Sequence, residues 1–144
     1  GFAKSKNGDL WIGTGNGFCR YNSSSEQFTR YQHNPANKNS PAASGVNALL
    51  EDHLGNVWIG YDTGLDLFDP VKNTFEHFTY NPGDATSIGA PYVNYVFEDS
   101  RDNIWICTSN GGLNLFNRTN RQFTRFQYDK NNYSCRINHL KVKK

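Results

Sequence analysis

Three tryptophans at equal spacing limit what this chain can fold into more than any other feature. Trp11, Trp58 and Trp105 stand 47 residues apart. They lie in NGDLWIGTGNGFCRYN (7–22), LGNVWIGYDTGLDLFD (54–69) and RDNIWICTSNGGLNLFN (101–117), the last with one extra residue in its turn. Downstream, EQFTRYQHNP (26–35) aligns with NTFEHFTYNP (73–82) and RQFTRFQYDK (121–130). Upstream, SGVNALLEDHLG (44–55) aligns with PYVNYVFEDSRD (91–102), and the element restarts at Ile137 and Asn138. Self-similarity at a fixed period marks units that bury their cores by stacking on one another. The chain is therefore read as a single unit over 1–144, with repeats at about 1–43, 44–90 and 91–136 and a remnant of a next inner strand at 137–144.

Turn signals divide each period into four short strands. In the second repeat strand a is Val46 to Glu51, b is Val57 to Gly60, c is Leu65 to Phe68 and d is Thr74 to Thr79. Strands b and c are apolar on both faces, so each needs cover on both sides. Sheets stacked face to face around an axis give that cover, and four-stranded sheets at this period predict an all-β propeller fragment of antiparallel blades. Gly17, Gly64 and Gly112 punctuate the b-to-c turns, and with the three tryptophans they form the expected structural core of the repeat.

The Trp-Ile-Gly core followed by Gly-Leu and an aromatic-Asn or aromatic-Asp pair resembles the two-component regulator propeller repeat from Asn7 to about Asp129. Cys107 departs from the pattern, standing where the other copies have Gly13 and Gly60. That resemblance implies the periplasmic sensor region of a Bacteroides-type hybrid two-component histidine kinase, where related sensors control polysaccharide use. It implies a ligand-sensing segment responding to an oligosaccharide, with the kinase elements elsewhere. The alternatives are a non-catalytic dimerisation scaffold and, less favoured, a propeller lyase, which would need His and Glu clustered in the central channel.

On this reading the chain starts at strand b and ends at strand a, giving twelve strands and an incomplete ring. An uncovered blade face costs about 25 cal/mol for each Å² of apolar area left in water. The expected partners are therefore the remaining blades of a parent propeller or a second copy of the chain.

Aromatics make up 15% of the residues, with 10 Phe, 8 Tyr and no Met, a balance that favours strands. The net charge is +2 and only Lys141, Lys143 and Lys144 cluster, so no basic stripe competes for nucleic acid. No window approaches the length of a membrane span, so no membrane contact is expected within these residues. Cys19, Cys107 and Cys135 form no C-x-x-C pair. This argues against a zinc site or a disulfide framework, although one bridge from Cys135 to Cys19 or Cys107 stays open.

Apparent catalytic motifs dissolve on comparison between copies. Gly13 to Gly17 is followed by a strand and not by the helix a phosphate loop requires. Glu51-Asp52 and Glu98-Asp99 are neighbours on a strand and point to opposite faces, so the Asp is expected to fix the a-to-b turn. The turn is similar to the Asp-boxes of sialidases, which are structural. His33, His53, His77 and His139 share no repeat position, and Ser23 to Ser25 has no nucleophile-elbow context. The N-x-S/T triplets at Asn22, Asn117 and Asn132 read as chance in polar loops. No catalytic residue, metal or cofactor is expected.

Binding is expected on the face where the b-to-c turns and the d-to-a connections open, since loops vary over a rigid scaffold. Those connections are Gln32 to Gly45, Asn81 to Pro91 and Gln127 to Arg136. His33, Asn34, Asn81, Asp84, Tyr92 and Asn110 are the candidate ligand residues, because they hydrogen-bond and stack as sugar-binding residues do. Asn47, Asn94 and Asn138 are expected to satisfy backbone groups between blades.

Overall fold

The computed structural model describes the backbone of residues 1–129 and 132–137, and side chains through Gln127. Thirteen strands occur there: β1 (Phe2–Lys4), β2 (Leu10–Thr14), β3 (Gly17–Asn22), β4 (Gln27–Tyr31), β5 (Ala48–Glu51), β6 (Val57–Gly60), β7 (Leu65–Asp69), β8 (Thr74–Phe78), β9 (Val93–Glu98), β10 (Ile104–Thr108), β11 (Gly112–Asn117), β12 (Gln122–Asp129) and β13 (Asn132–Ile137). They form three antiparallel sheets, β1-β2-β3-β4, β5-β6-β7-β8 and β9-β10-β11-β12-β13. These are successive blades of an open propeller. Among the described residues no helix is long and apolar enough to cross a membrane.

Two expectations about the ends of the repeat are corrected. The first blade has its own strand a, because Phe2, Ala3 and Lys4 pair with Ile12, Trp11 and Leu10 in the register that Leu49, Leu50 and Glu51 use in the second blade. Its sequence lacks the Glu-Asp signature, which hides it. At the other end Gln127 to Arg136, read as a loop, continues β12 and then pairs back on it as β13, with Gln127 opposite Arg136. Lys130 and Cys135 stand there in place of Pro82 and Ser87, so the residues that knot the earlier connections are missing, while Tyr128 and Tyr133 favour strand. Asn138, His139 and the lysine tail lie outside the described residues, as does the side chain of Cys135. Cys19 and Cys107 are free thiols.

The core lies between blades. Trp11 and Phe18 of the first blade pack with Val57, Ile59, Tyr61 and Phe68 of the second. Ala48, Trp58 and Leu65 of the second blade pack with Val93, Val96, Ile104, Ile106, Phe116 and Phe123 of the third. The same aromatic pair recurs, with the rings of Trp11 and Phe68 6.1 Å apart and those of Trp58 and Phe116 4.9 Å apart, both edge-on. Trp11 and Trp58 are thus knobs for the following blade, which places the core between repeats and not within one.

Glycine is required where blades approach closely. A Cβ on Gly60 would meet Val93 Cγ1 at 2.5 Å, and one on Gly13 would meet Val46 Cγ1 at 2.5 Å. Gly17, Gly64 and Gly112 share positive φ values of 88°, 151° and 70°. In each a Cβ would also strike the carbonyl oxygen of a strand-d residue, Tyr31, Phe78 or Phe126.

Candidate functional site

Two sets of polar contacts join neighbouring blades, one at each end of the strands. At the a-to-b turns Asp52 and Asp99 behave as the sequence suggests. Asp52 accepts from the backbone N–H of Leu54 and Asn56 and, at 3.0 Å, from the indole of Trp58. Asp99 accepts from Arg101, Asn103 and, at 2.9 Å, the Trp105 indole. The Trp105 bond leads the donors that hold the Asp99 carboxyl well below the usual carboxylate range.

The glutamates beside these aspartates link blades. Glu98 accepts from the His53 backbone N–H at 2.8 Å and from Arg118 at 3.0 Å, while Arg118 also reaches Asp52 at 2.9 Å. Glu51 accepts from Lys6 N–H, from the Ser5 hydroxyl at 2.8 Å and from the Trp11 indole at 2.6 Å. Ser5 occupies the position of Asp52 and cannot serve several donors, so the first tryptophan is anchored across the blade boundary. Sequence comparison assigned the pairs to turns and missed this second role.

His53 Nδ1 lies 2.6 Å from Glu98 and 3.6 Å from Asp102, a spacing at which three donors could share a cation. Arg118 already places its positive charge on the same Glu98 oxygen. The adjacent carboxylates Glu51 and Asp52 serve different partners, so nothing in this arrangement aims two acids at one bond.

At the other end lie the d-to-a connections. Residues 34–40 and 81–87 form the same hydrogen-bonded knot. Ser40 Oγ accepts from Asn34 N–H and donates toward the carbonyls of Asn34 and Asn37, and Ser87 repeats this with Asn81 and Asp84. Each knot lies against strands c and d of the blade that it leads into, in what we term a seat. In the second blade buried Asp66 accepts from Ala42 N–H at 2.8 Å, and His77 bridges Asp66 at 2.7 Å and the Lys38 carbonyl at 2.9 Å. In the third blade buried Asn114 accepts from Gly89 N–H at 2.8 Å. Arg125 donates there to the carbonyls of Ser87 and Asp84 at 2.9 and 2.7 Å.

The two seats differ in charge. Burial raises the carboxyl of Asp66, only partly offset by His77 and the Ala42 N–H. Burial lowers His77, but its bonds to Asp66 and the Lys38 carbonyl outweigh this and leave the ring above its ordinary value. Burial, and then the charge of Asp66, also pushes the Tyr61 phenol up. Asp66 and Asn114 hold one repeat position, as do His77 and Arg125, but the residue types differ and mask the common role.

Most of the predicted ligand residues are engaged within the loops. Asn34 accepts from Ala36 N–H, Asn81 from Gly83 N–H, and Asp84 from Thr86 N–H and hydroxyl. His33 Nδ1 lies 2.7 Å from the Pro41 carbonyl. Tyr92 and Asn110 lie near one another, because the Tyr92 carbonyl accepts from Ser109 N–H. Tyr92 is exposed on this rim, with Asn94 bonded to Ser109 at 2.9 Å, whereas exposed Tyr95 holds the repeat position of Ala48, a residue of the core between blades. Asn47 donates to Asp62 and to the Val93 carbonyl of the next blade.

The family model described as "Two component regulator propeller" matches residues 87–110, from the end of the second knot through β10 and its tryptophan. Among solved structures, the extracellular domain of a hybrid two component system of B. thetaiotaomicron is similar at 21% identity over 90% of this chain, with a TM-score of 0.76. PorZ, a surface component of the type-IX secretion system of Porphyromonas gingivalis, is similar at 19% identity over 88%, with a TM-score of 0.62. A structural genomics protein of unknown function from Bacteroides thetaiotaomicron is similar at 14% identity over 86%, with a TM-score of 0.59. The chain spans 18%, 19% and 34% of those three chains. No curated protein matches the sequence. The likeness establishes the propeller fold, and the matched repeat is the one that the sequence resembles.

Proposed function

We propose that the chain is a segment of the extracytoplasmic, periplasmic propeller of a hybrid two-component sensor, and that it binds or relays a ligand without catalysing a reaction. The observation that carries this reading is the two component regulator propeller match at 87–110, which falls on the blade with the free rim. Tyr92 is 42% exposed beside Asn94, Ser109 and Asn110, so an apolar ring stands next to amide and hydroxyl groups. Stacking faces beside hydrogen-bonding groups suit an oligosaccharide. Sensing would follow from tighter binding to one of two arrangements of the parent protein.

The test is calorimetric titration of the intact propeller with a panel of oligosaccharides. Saturable binding that falls at least about tenfold on Tyr92→Ala supports the reading. Binding that survives Tyr92→Ala unchanged removes this rim as the site. A scaffold role is favoured by a different observation: Asn34, Asn81 and Asp84 are all engaged in knotting their own loops. If no glycan binds while deletion of the blades uncouples a parent dimer, the scaffold reading replaces sensing.

A further inference from the structure

Two seats are filled, and the first blade carries a third that is open among the described residues. Pairing places Cys19 opposite Arg30, as Asp66 is opposite His77 and Asn114 opposite Arg125. Phe28 stands where Phe75 and Phe123 stand. In the filled seats the backbone N–H of Phe75 is taken by Asn39 Oδ1 at 2.9 Å, and that of Phe123 by the Thr86 carbonyl at 2.8 Å. In the first blade Phe28 is 65% exposed, and a cleft of about 200 Å³ opens between Thr14, Asn16, Phe18, Cys19 and Arg30.

We propose that this open seat receives a third knotted loop of the pattern Asn-Pro-x-Asx-x-x-Ser, carried by a further propeller repeat. The occupant follows from the chemistry of the two filled seats. A knotted loop turns its carbonyls toward the side chain on strand d and one N–H toward the side chain on strand c. Arg30 has the donors that Arg125 uses for two such carbonyls. A second copy of this chain suits the seat less well, because both of its knotted loops already lie in seats of their own. Cys19 is the weak point, since a thiol accepts poorly compared with Asp66 or Asn114. The loop is thus held chiefly by Arg30 and by the exposed ring of Phe28.

The test uses the protein with a synthetic peptide of residues 79–91, which carries the second knot. Nitrogen-15 amide spectra and the alkylation rate of each cysteine by peptide mapping are followed together, with Cys107 as the control. Saturable shifts at Phe28 to Arg30, slowed alkylation of Cys19 alone, and loss of both with a Ser87→Ala peptide support the proposal. Arg30→Ala, an exposed substitution, should weaken binding about tenfold. Cys19→Asn, which restores the acceptor of the third blade, should tighten it about threefold to tenfold. Binding indifferent to Arg30→Ala overturns the proposal, as does absence of binding to a folded Cys19→Asn protein. Protection of Cys19 that grows with protein concentration without peptide also overturns it, because a second copy then covers the seat.

Discussion

The second and third blades hold the same knotted loop by opposite chemical means. In the second, a buried carboxylate and an imidazole grip the loop; in the third, a neutral amide and a guanidinium do. A single backbone N–H must be met in each, so geometry is retained while charge is free to vary. The difference shows that the repeat preserves hydrogen-bond roles and not residue types. It also predicts unequal responses to the same kind of substitution.

The largest contrast is expected from removing the buried acceptors. Asp66→Leu strands the Ala42 N–H and leaves His77 without its partner, so it should lower unfolding free energy by about 3 kcal/mol in urea titrations. Asn114→Leu strands the Gly89 N–H but no charge, and should lower it by about 2 kcal/mol. Asp66→Asn copies the third blade and should cost under about 1 kcal/mol. Equal losses for all three would break the distinction between charged and neutral seats.

A steric contrast comes next. The extra residue in the third b-to-c turn brings Gly111 against the loop, so a Cβ on Gly89 would meet the Gly111 carbonyl oxygen at 2.6 Å and Asn114 Oδ1 at 2.8 Å. The equivalent residue in the second seat is Ala42, which fits. Gly89→Ala should therefore cost about 2 kcal/mol, whereas Ala42→Gly should cost only about 0.5–1 kcal/mol through the freer unfolded chain. Unfolding midpoints at constant m-value would check both.

The strands-b end offers a smaller contrast between blades. Trp58 and Trp105 are bonded to an aspartate of their own blade, but Trp11 depends on Glu51 of the next. Glu51→Ala should cost about 1.5 kcal/mol. The exchange protection of the Trp11 indole N–H should fall, with Trp58 and Trp105 unaffected. If all three indoles respond alike, the anchor is not specific to that boundary.

How much of this was legible depends on which signals repeat in kind. The second-blade strands lie where alternation and turns put them, with β6 coincident with Val57 to Gly60, because tryptophan, glycine and the Glu-Asp turn recur as identical residues. β1 escaped because Lys4 and Ser5 replace Glu and Asp, and its pairing is settled only by the partner strand. The candidate rim was half legible. Asn34, Asn81 and Asp84 do occupy the loop face, but sequence cannot distinguish an amide free for ligand from one closing its own turn. The seats were invisible, since Asp66, Asn114 and Cys19 look unrelated until strand register superposes them.

The smallest expected effect is the dependence of the second seat on pH. The folded value of His77 is raised above the ordinary 6.5, so its contribution is fully present below 6.5 and is lost as pH rises through the raised value. Asp66 is also raised by burial, and a raised carboxyl likewise loses stability as pH rises. Both shifts act in the same direction, and the third seat holds its loop through Asn114 and Arg125 without an imidazole. Amide exchange over residues 34–42, corrected for its intrinsic rate, should lose about threefold protection relative to residues 81–89 between pH 6 and pH 8.5. His77→Arg should abolish that relative loss while keeping the bond to the Lys38 carbonyl. If the two loops keep a constant ratio of protection across that range, the imidazole does not govern the second seat and its grip rests on Asp66 alone.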